Sequence, residues 1–170
     1  MKFIATDVDD SLNKMENMVR AELEQPGKAI ASYFYRSHLV YQKELTDLIF
    51  RSWLYACHVS EIPEAGDYQL MEIGEDSVIV VRDSAGDIHA LMNVCRHRGA
   101  RVCEEQSGNR KTFVCPYHGW VYNTDGSLKA AREMEILEGF DLSQHGLKKA
   151  SVVVFMGLVF INCDPEAADF

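Results

Sequence analysis

The chain has 170 residues, and 17 Lys and Arg against 26 Asp and Glu give it a formal net charge of −9 at pH 7. That length holds one domain plus an extension, and a composition of 47% hydrophobic and 25% charged residues belongs to globular chains rather than disordered or collagen-like ones. The acidic balance argues against a nucleic-acid binder, which works by releasing counterions to a basic face. No run approaches the eighteen or so apolar residues that span a bilayer. Residues 1–10 carry three Asp and lack the cationic and apolar regions of a signal peptide, so the expected location is the cytoplasm, with no membrane partner.

In chain order, helices come first. Met15, Met18, Val19 and Leu23 recur at helical spacing within residues 13–25, and Pro26-Gly27 closes the run. Over residues 37–53, Val40, Tyr41, Leu45, Leu48, Ile49 and Trp53 return every three or four positions and mark one buried face, with Ser37 placed to cap it. Tyr33, Phe34 and Tyr35 read as packing residues. After Pro63 the period drops to two: strands are expected at 68–73, 77–82 and 88–93, the last two joined by a turn at 83–86, in a meander. Shorter strands fit 112–114, 120–123 and 127–129, and 152–155 with 158–162 close the chain as a hairpin through Met156-Gly157. Residues 166–170 read as the start of a linker.

The chemistry lies in two short segments, Cys95-Arg96-His97 and Cys115-Pro116-Tyr117-His118, separated by residues 98–114 and each set just after an expected strand. Two loops, each offering a thiolate and an imidazole, could close on a metal centre from opposite sides. Zinc accepts the same four donors, but structural zinc sites pair ligands two to five residues apart within one knuckle. A Cys-x-His leaves a single intervening residue, awkward for one metal and comfortable if the two side chains reach different iron atoms. Cys57, Cys103 and Cys163 have no partner spacing and read as small buried hydrophobes. His58 and His145 read as structural histidines. Asp7-Val8-Asp9-Asp10-Ser11 is similar to the nucleophile motif of haloacid-dehalogenase-type phosphatases, but no βαβ alternation follows it, and a solvated acidic terminus is the better reading. Arg96, Arg98 and Arg101 form a basic spot beside the first loop, for which solvation is the ordinary explanation and docking of an acidic partner the sharper one.

Cys95-Arg96-His97-Arg98-Gly99-Ala100 and Cys115-Pro116-Tyr117-His118-Gly119-Trp120 resemble the two cluster-binding loops of Rieske proteins, in particular the Rieske domain of ring-hydroxylating oxygenase large (alpha) subunits. The likeness extends to the lead-in at residues 50–58 and the exit at 157–165. It implies a mainly β fold of small antiparallel sheets with an N-terminal helical extension, divided as 1–36 extension, 37–165 Rieske domain with its lead-in helix, and 166–170 linker to a missing catalytic domain. It also implies a Rieske-type 2Fe-2S cluster, with Cys95 and Cys115 on the inner iron and His97 and His118 on the outer one. High-potential Rieske proteins carry an extra cysteine in each loop and a serine donor; Ala100, Tyr117 and Trp120 occupy those positions here, so a potential near the low end, roughly −150 mV, is expected.

The function so implied is electron transfer from a reductase or ferredoxin to a mononuclear non-heme iron that activates dioxygen. His118 is the expected exit toward a neighbouring subunit of a homotrimer. His38, His58, His89 and His145 form no 2-His-1-carboxylate pattern, so that second iron is expected only in the missing domain. A stand-alone Rieske-type ferredoxin is the alternative, disfavoured by the helical lead. A structural zinc module is the third reading.

Overall fold

The computed structural model describes residues 10–134 and 136–170. The segments Phe3-Ile4-Ala5 and Asp7-Val8-Asp9 lie outside the described residues. The chain forms two compact units that divide after Arg51.

In the first unit, α1 spans Leu12–Leu23, capped by Ser11, whose Oγ accepts from the Lys14 N–H at 3.2 Å. Its apolar stripe is only partly covered: Met15 and Met18 are half-buried, whereas Leu23 is 77% exposed. The second helix, α2, spans His38–Asp47 and is capped as expected by Ser37, whose Oγ accepts from the Val40 N–H at 3.0 Å. Asp10 is no idle solvated charge. Its carboxylate accepts from Ser37 Oγ at 2.5 Å, from the Leu39 N–H at 2.8 Å and from the Tyr33 hydroxyl at 3.2 Å, which bolts the capping turn together. Tyr33 is buried, while Tyr35 stands exposed rather than packed. The expected helix to residue 53 stops earlier, because Leu48 leaves the helical region (φ −123°, ψ −64°) and the chain continues as a 3-10 turn over Ile49–Arg51.

Among the described residues the second unit holds ten strands: β1 Leu54–His58, β2 Asp67–Ile73, β3 Asp76–Arg82, β4 Ile88–Met92, β5 Ser107–Asn109, β6 Thr112–Val114, β7 Val121–Asn123, β8 Leu128–Ala130, β9 Lys149–Phe155 and β10 Leu158–Asn162. Seven form one antiparallel sheet in the order β1-β10-β9-β4-β3-β2-β5, and β6-β7-β8 form a second. The β2-β3-β4 meander and the β9-β10 hairpin appear where expected, except that β9 begins at Lys149 rather than at 152, because its first residues pair with β4. The hairpin turn is Met156-Gly157 with φ of 52° and 84°, so both central residues are left-handed, as a two-residue hairpin of this twist requires. Gly157 has a second reason: a Cβ there would come within 2.5 Å of His58 Nε2.

The two sheets share one core. Tyr68, Ile79, Val81 and Leu91 from the larger meet Phe113, Tyr122 and Leu128 from the smaller, with Cys95, Cys115 and Trp120 of the loops among them. The interior of β3 is buried along both faces, which explains its unbroken Val78-Ile79-Val80-Val81 run. At the C-terminus, Trp53 Nε1 donates to the Ala168 carbonyl at 3.0 Å and Phe170 packs on Trp53 and Phe160, so residues 168–170 return to the sheet. No helix of the described residues is long and apolar enough to cross a membrane.

Candidate metal centre

The two motif segments fold into loops of one backbone design. The Cys95 N–H donates to the Ala100 carbonyl at 2.8 Å and the Gly99 N–H returns to the Cys95 carbonyl at 3.0 Å. The Cys115 N–H donates to the Trp120 carbonyl at 2.8 Å and the Gly119 N–H returns to the Cys115 carbonyl at 3.0 Å. Gly99 and Gly119 stand at φ of 74° and 70°. An added Cβ would meet nothing at either position, so backbone conformation and not space selects glycine there. In this shared frame the histidine comes two residues after the cysteine in the first loop and three after it in the second.

The frame sorts the donors by depth. Cys95 and Cys115 are 3% and 2% exposed. The His97 and His118 rings lie nearer the surface, edge to face with centroids 4.5 Å apart. Among the described residues no three His, Cys, Asp or Glu side chains gather about one point; the donors stand as a thiol pair and an imidazole pair. Burial pushes the Cys115 thiol up and the neighbouring Cys95 side chain adds to it, while the backbone N–H groups of Tyr117 and His118 pull it back. Burial holds the His97 imidazole below its ordinary value, and the positive potential of His118 and Arg98 acts the same way. A neutral imidazole with a free lone pair is what a metal requires of a histidine.

Two aromatic residues fix these groups. Trp120 lies flat against His97, centroids 5.0 Å apart and planes 7° from parallel. Tyr122 on β7 is fully buried, with its hydroxyl 3.2 Å from Cys95 Sγ. The Arg96 N–H donates to that phenolic oxygen at 3.0 Å, and against a thiolate at Cys95 the phenol's own proton is the one available to the sulfur contact. Burial pushes the Tyr122 hydroxyl far above its ordinary value, and Cys95 adds to it, so the proton stays in place. Motif spacing did not single out Tyr122. Alternation along β7 could have done so, since it turns Tyr122 inward between two half-exposed neighbours.

The structure brings Cys95 to Cys115 and His97 to His118, and keeps the remaining candidates elsewhere. Cys57 is buried in β1, its thiol pushed up to about 11 by burial. The buried Cys103 points its thiol at the Glu105 carbonyl, 3.7 Å away, and Cys163 is half-buried. His58 caps the turn at Val59–Glu61, and His145 Nδ1 lies 2.9 Å from the Asp141 carbonyl. Of the basic spot, Arg96 and Arg98 are exposed, whereas Arg101 turns away to Glu72 and the Glu75 carbonyl.

One observation tests whether a metal group suits this arrangement. His97 Nδ1 is buried and has no hydrogen-bond partner among the described residues. An orphaned polar atom of that kind costs about 1–3 kcal/mol, and coordination removes the cost. Two buried thiols and two adjoining imidazoles fit a binuclear centre of mixed ligation.

Comparison with known proteins agrees. The Rieske [2Fe-2S] domain model matches residues 52–141. The anthranilate 1,2-dioxygenase large subunit of Acinetobacter baylyi is 43% identical over 125 residues, which are 72% of this chain and 26% of that one. The glycine betaine monooxygenase oxygenase subunit of Chromohalobacter salexigens is 41% identical over 138 residues, 80% of this chain and 31% of that one. Among solved structures, naphthalene 1,2-dioxygenase from Rhodococcus sp. bound to indole superposes with a TM-score of 0.82 at 32% identity, covering 92% of this chain and 37% of the other. This chain therefore spans about a quarter to two fifths of the length of these relatives. With the model matching more than half its length and both thiol-imidazole loops inside the matched span, the chain belongs to the Rieske [2Fe-2S] domain family, in the form found in large and alpha subunits of ring-hydroxylating dioxygenases.

Proposed function

We propose that this chain is the electron-relay part of a Rieske non-heme iron oxygenase, an oxidoreductase, in which Cys95 and Cys115 hold the inner iron of a 2Fe-2S cluster and His97 and His118 the outer one. The observation that carries the reading is the pairing by depth: thiol beside thiol in the core, imidazole beside imidazole toward the surface. When bound, such a group takes one electron from a reductase or ferredoxin and yields it to a mononuclear iron in a catalytic domain, at a potential raised above that of four-cysteine clusters because neutral imidazoles replace two thiolates.

The residues of this chain prepare that chemistry. Buried Cys95 and Cys115 keep water from the sulfurs, and the Tyr122 hydroxyl and the N–H groups of Tyr117 and His118 disperse thiolate charge. Trp120 holds the plane of the His97 ring, and His118, beside the 60%-exposed Tyr117, presents the outward imidazole to a neighbouring subunit of a homotrimer. Arg96 and Arg98 offer positive charge to an acidic donor on a chain of net charge −9.

The test is replacement of each imidazole. Protein purified without oxygen should be brown, carry iron and acid-labile sulfide in equal amounts, and lose its visible absorption in His97→Ala and His118→Ala. A colourless protein with one zinc per chain, or colour that survives both substitutions, contradicts the assignment.

A further inference from the structure

The two ligand loops share a frame but are closed at their bases in different ways. The second leaves β6 and enters β7, and the pairing of Val114 with Val121 seals it by backbone hydrogen bonds. The first leaves β4, whose two neighbours in the sheet are β3 and β9. Both edges of β4 are thus occupied, and the segment that returns from the loop at residues 101–103 has no strand edge of β4 to pair with.

One side chain closes that base instead. Asn93 is 0% exposed. Its Oδ1 accepts from the N–H groups of Val102 and Cys103, each at 2.8 Å, and its Nδ2 donates to the Cys103 carbonyl at 2.6 Å and to Ser77 Oγ at 2.9 Å. The Asn93 backbone N–H also donates to the Ser77 carbonyl at 2.9 Å. Two N–H groups can meet only an acceptor and the Cys103 carbonyl only a donor, so the amide has one allowed orientation and its full bonding capacity is used.

We propose that Asn93 is the positioning residue of the first ligand loop, doing with one carboxamide what the β6-β7 ladder does for the second. It joins the residue two before Cys95 to the return segment at Val102 and Cys103, and so sets where Cys95 and His97 stand against Cys115 and His118. The inference rests on the reading of Cys95 and His97 as ligands, while the four side-chain bonds of Asn93 go to Ser77, Val102 and Cys103 and to no proposed ligand. No isosteric apolar residue can replace it, because Val102 and Cys103 would keep buried N–H groups with no acceptor.

The experiment is hydrogen–deuterium exchange on iron-loaded protein and its Asn93→Ser variant, read separately for the peptides spanning 95–103 and 115–121. Exchange at the Val102 and Cys103 amides should quicken about tenfold or more, with the second loop unchanged, and bleaching by a ferrous chelator should quicken in parallel. Equal loosening of both loops makes Asn93 an ordinary core residue and overturns the proposal, as does unchanged exchange over 95–103. Should Asn93→Ser fail to fold, Ser77→Ala removes a single acceptor of the same amide and should give a smaller rise confined to the same peptide; a rise elsewhere, or none, is equally contrary. Wild-type protein without iron would refute the ligand assignment, while the contrast between the loops on exchange would still read the clamp.

Discussion

At the scale of single residues, the Tyr122 hydroxyl beside Cys95 Sγ is a group through which the electron affinity of the proposed cluster can be probed. Against a Cys95 thiolate it is the donor of the 3.2 Å contact, and a hydrogen bond to sulfur strengthens as negative charge accumulates there. Tyr122→Phe removes that hydroxyl, and with it the acceptor of the Arg96 N–H, while the ring remains packed in the core. The expected result in potentiometric titration is a midpoint lowered by roughly 40 mV, the equivalent for a one-electron couple of about 1 kcal/mol of hydrogen bonding. An unchanged midpoint would mean that the phenolic proton does not face the sulfur. The four proposed ligands were legible as candidates because two Cys-His pairs at such short spacing rarely coincide by chance. Tyr122 and Asn93 were not, because each acts through a partner 27 or 9 to 16 positions away and carries no local motif.

At the scale of elements, strands that alternate and are bounded by turns were readable: β6 and β10 match the expected spans, and β2, β3 and β4 differ by one residue at an end. The unexpected strands have specific causes. β5 is Ser107-Gly108-Asn109, without strand-forming side chains, and exists because β2 offers an edge and Asn109 Nδ2 ties it to Asp67 and the Ala65 carbonyl. β1 carries a register shift between Tyr55 and Cys57 that disrupts its alternation. The β3-β4 turn was foreseen, and its chemistry gives a pH prediction. Asp83 accepts from the N–H groups of Ala85 and Asp87, both at 2.9 Å, and pairs with His89 Nε2 at 2.8 Å. Burial alone would raise its carboxyl, but the His89 contact and the two N–H donors prevail and hold it below the ordinary value. A depressed carboxyl contributes stability above its unfolded value of about 3.9 and loses it as the pH falls through the folded one. Asp83→Asn should therefore cost about 1–2 kcal/mol near neutrality, and the gap in unfolding midpoint should close in acid, where wild type carries a neutral isostere of Asn. A gap that persists there would assign the stability to shape rather than charge.

At the scale of the molecule, two sheets with one core carry two loops of common design, and the sheets fix how the thiol and imidazole pairs face each other. The division after Arg51 coincides with the start of the family match at residue 52, and it groups α2 with the N-terminal unit rather than with the strands. Hydropathy could not reveal that boundary, since α2 buries Val40 and Leu45 as a helix of either unit would. The proposed function requires two irons in unlike surroundings, one between Cys95 and Cys115 and the other between His97 and His118. Mössbauer spectroscopy of the dithionite-reduced, iron-57-enriched protein tests it most directly. Two components of equal area are expected, a ferric site with sulfur ligation and a ferrous site with nitrogen ligation; a single component, or two irons with the same ligation, would contradict the assignment.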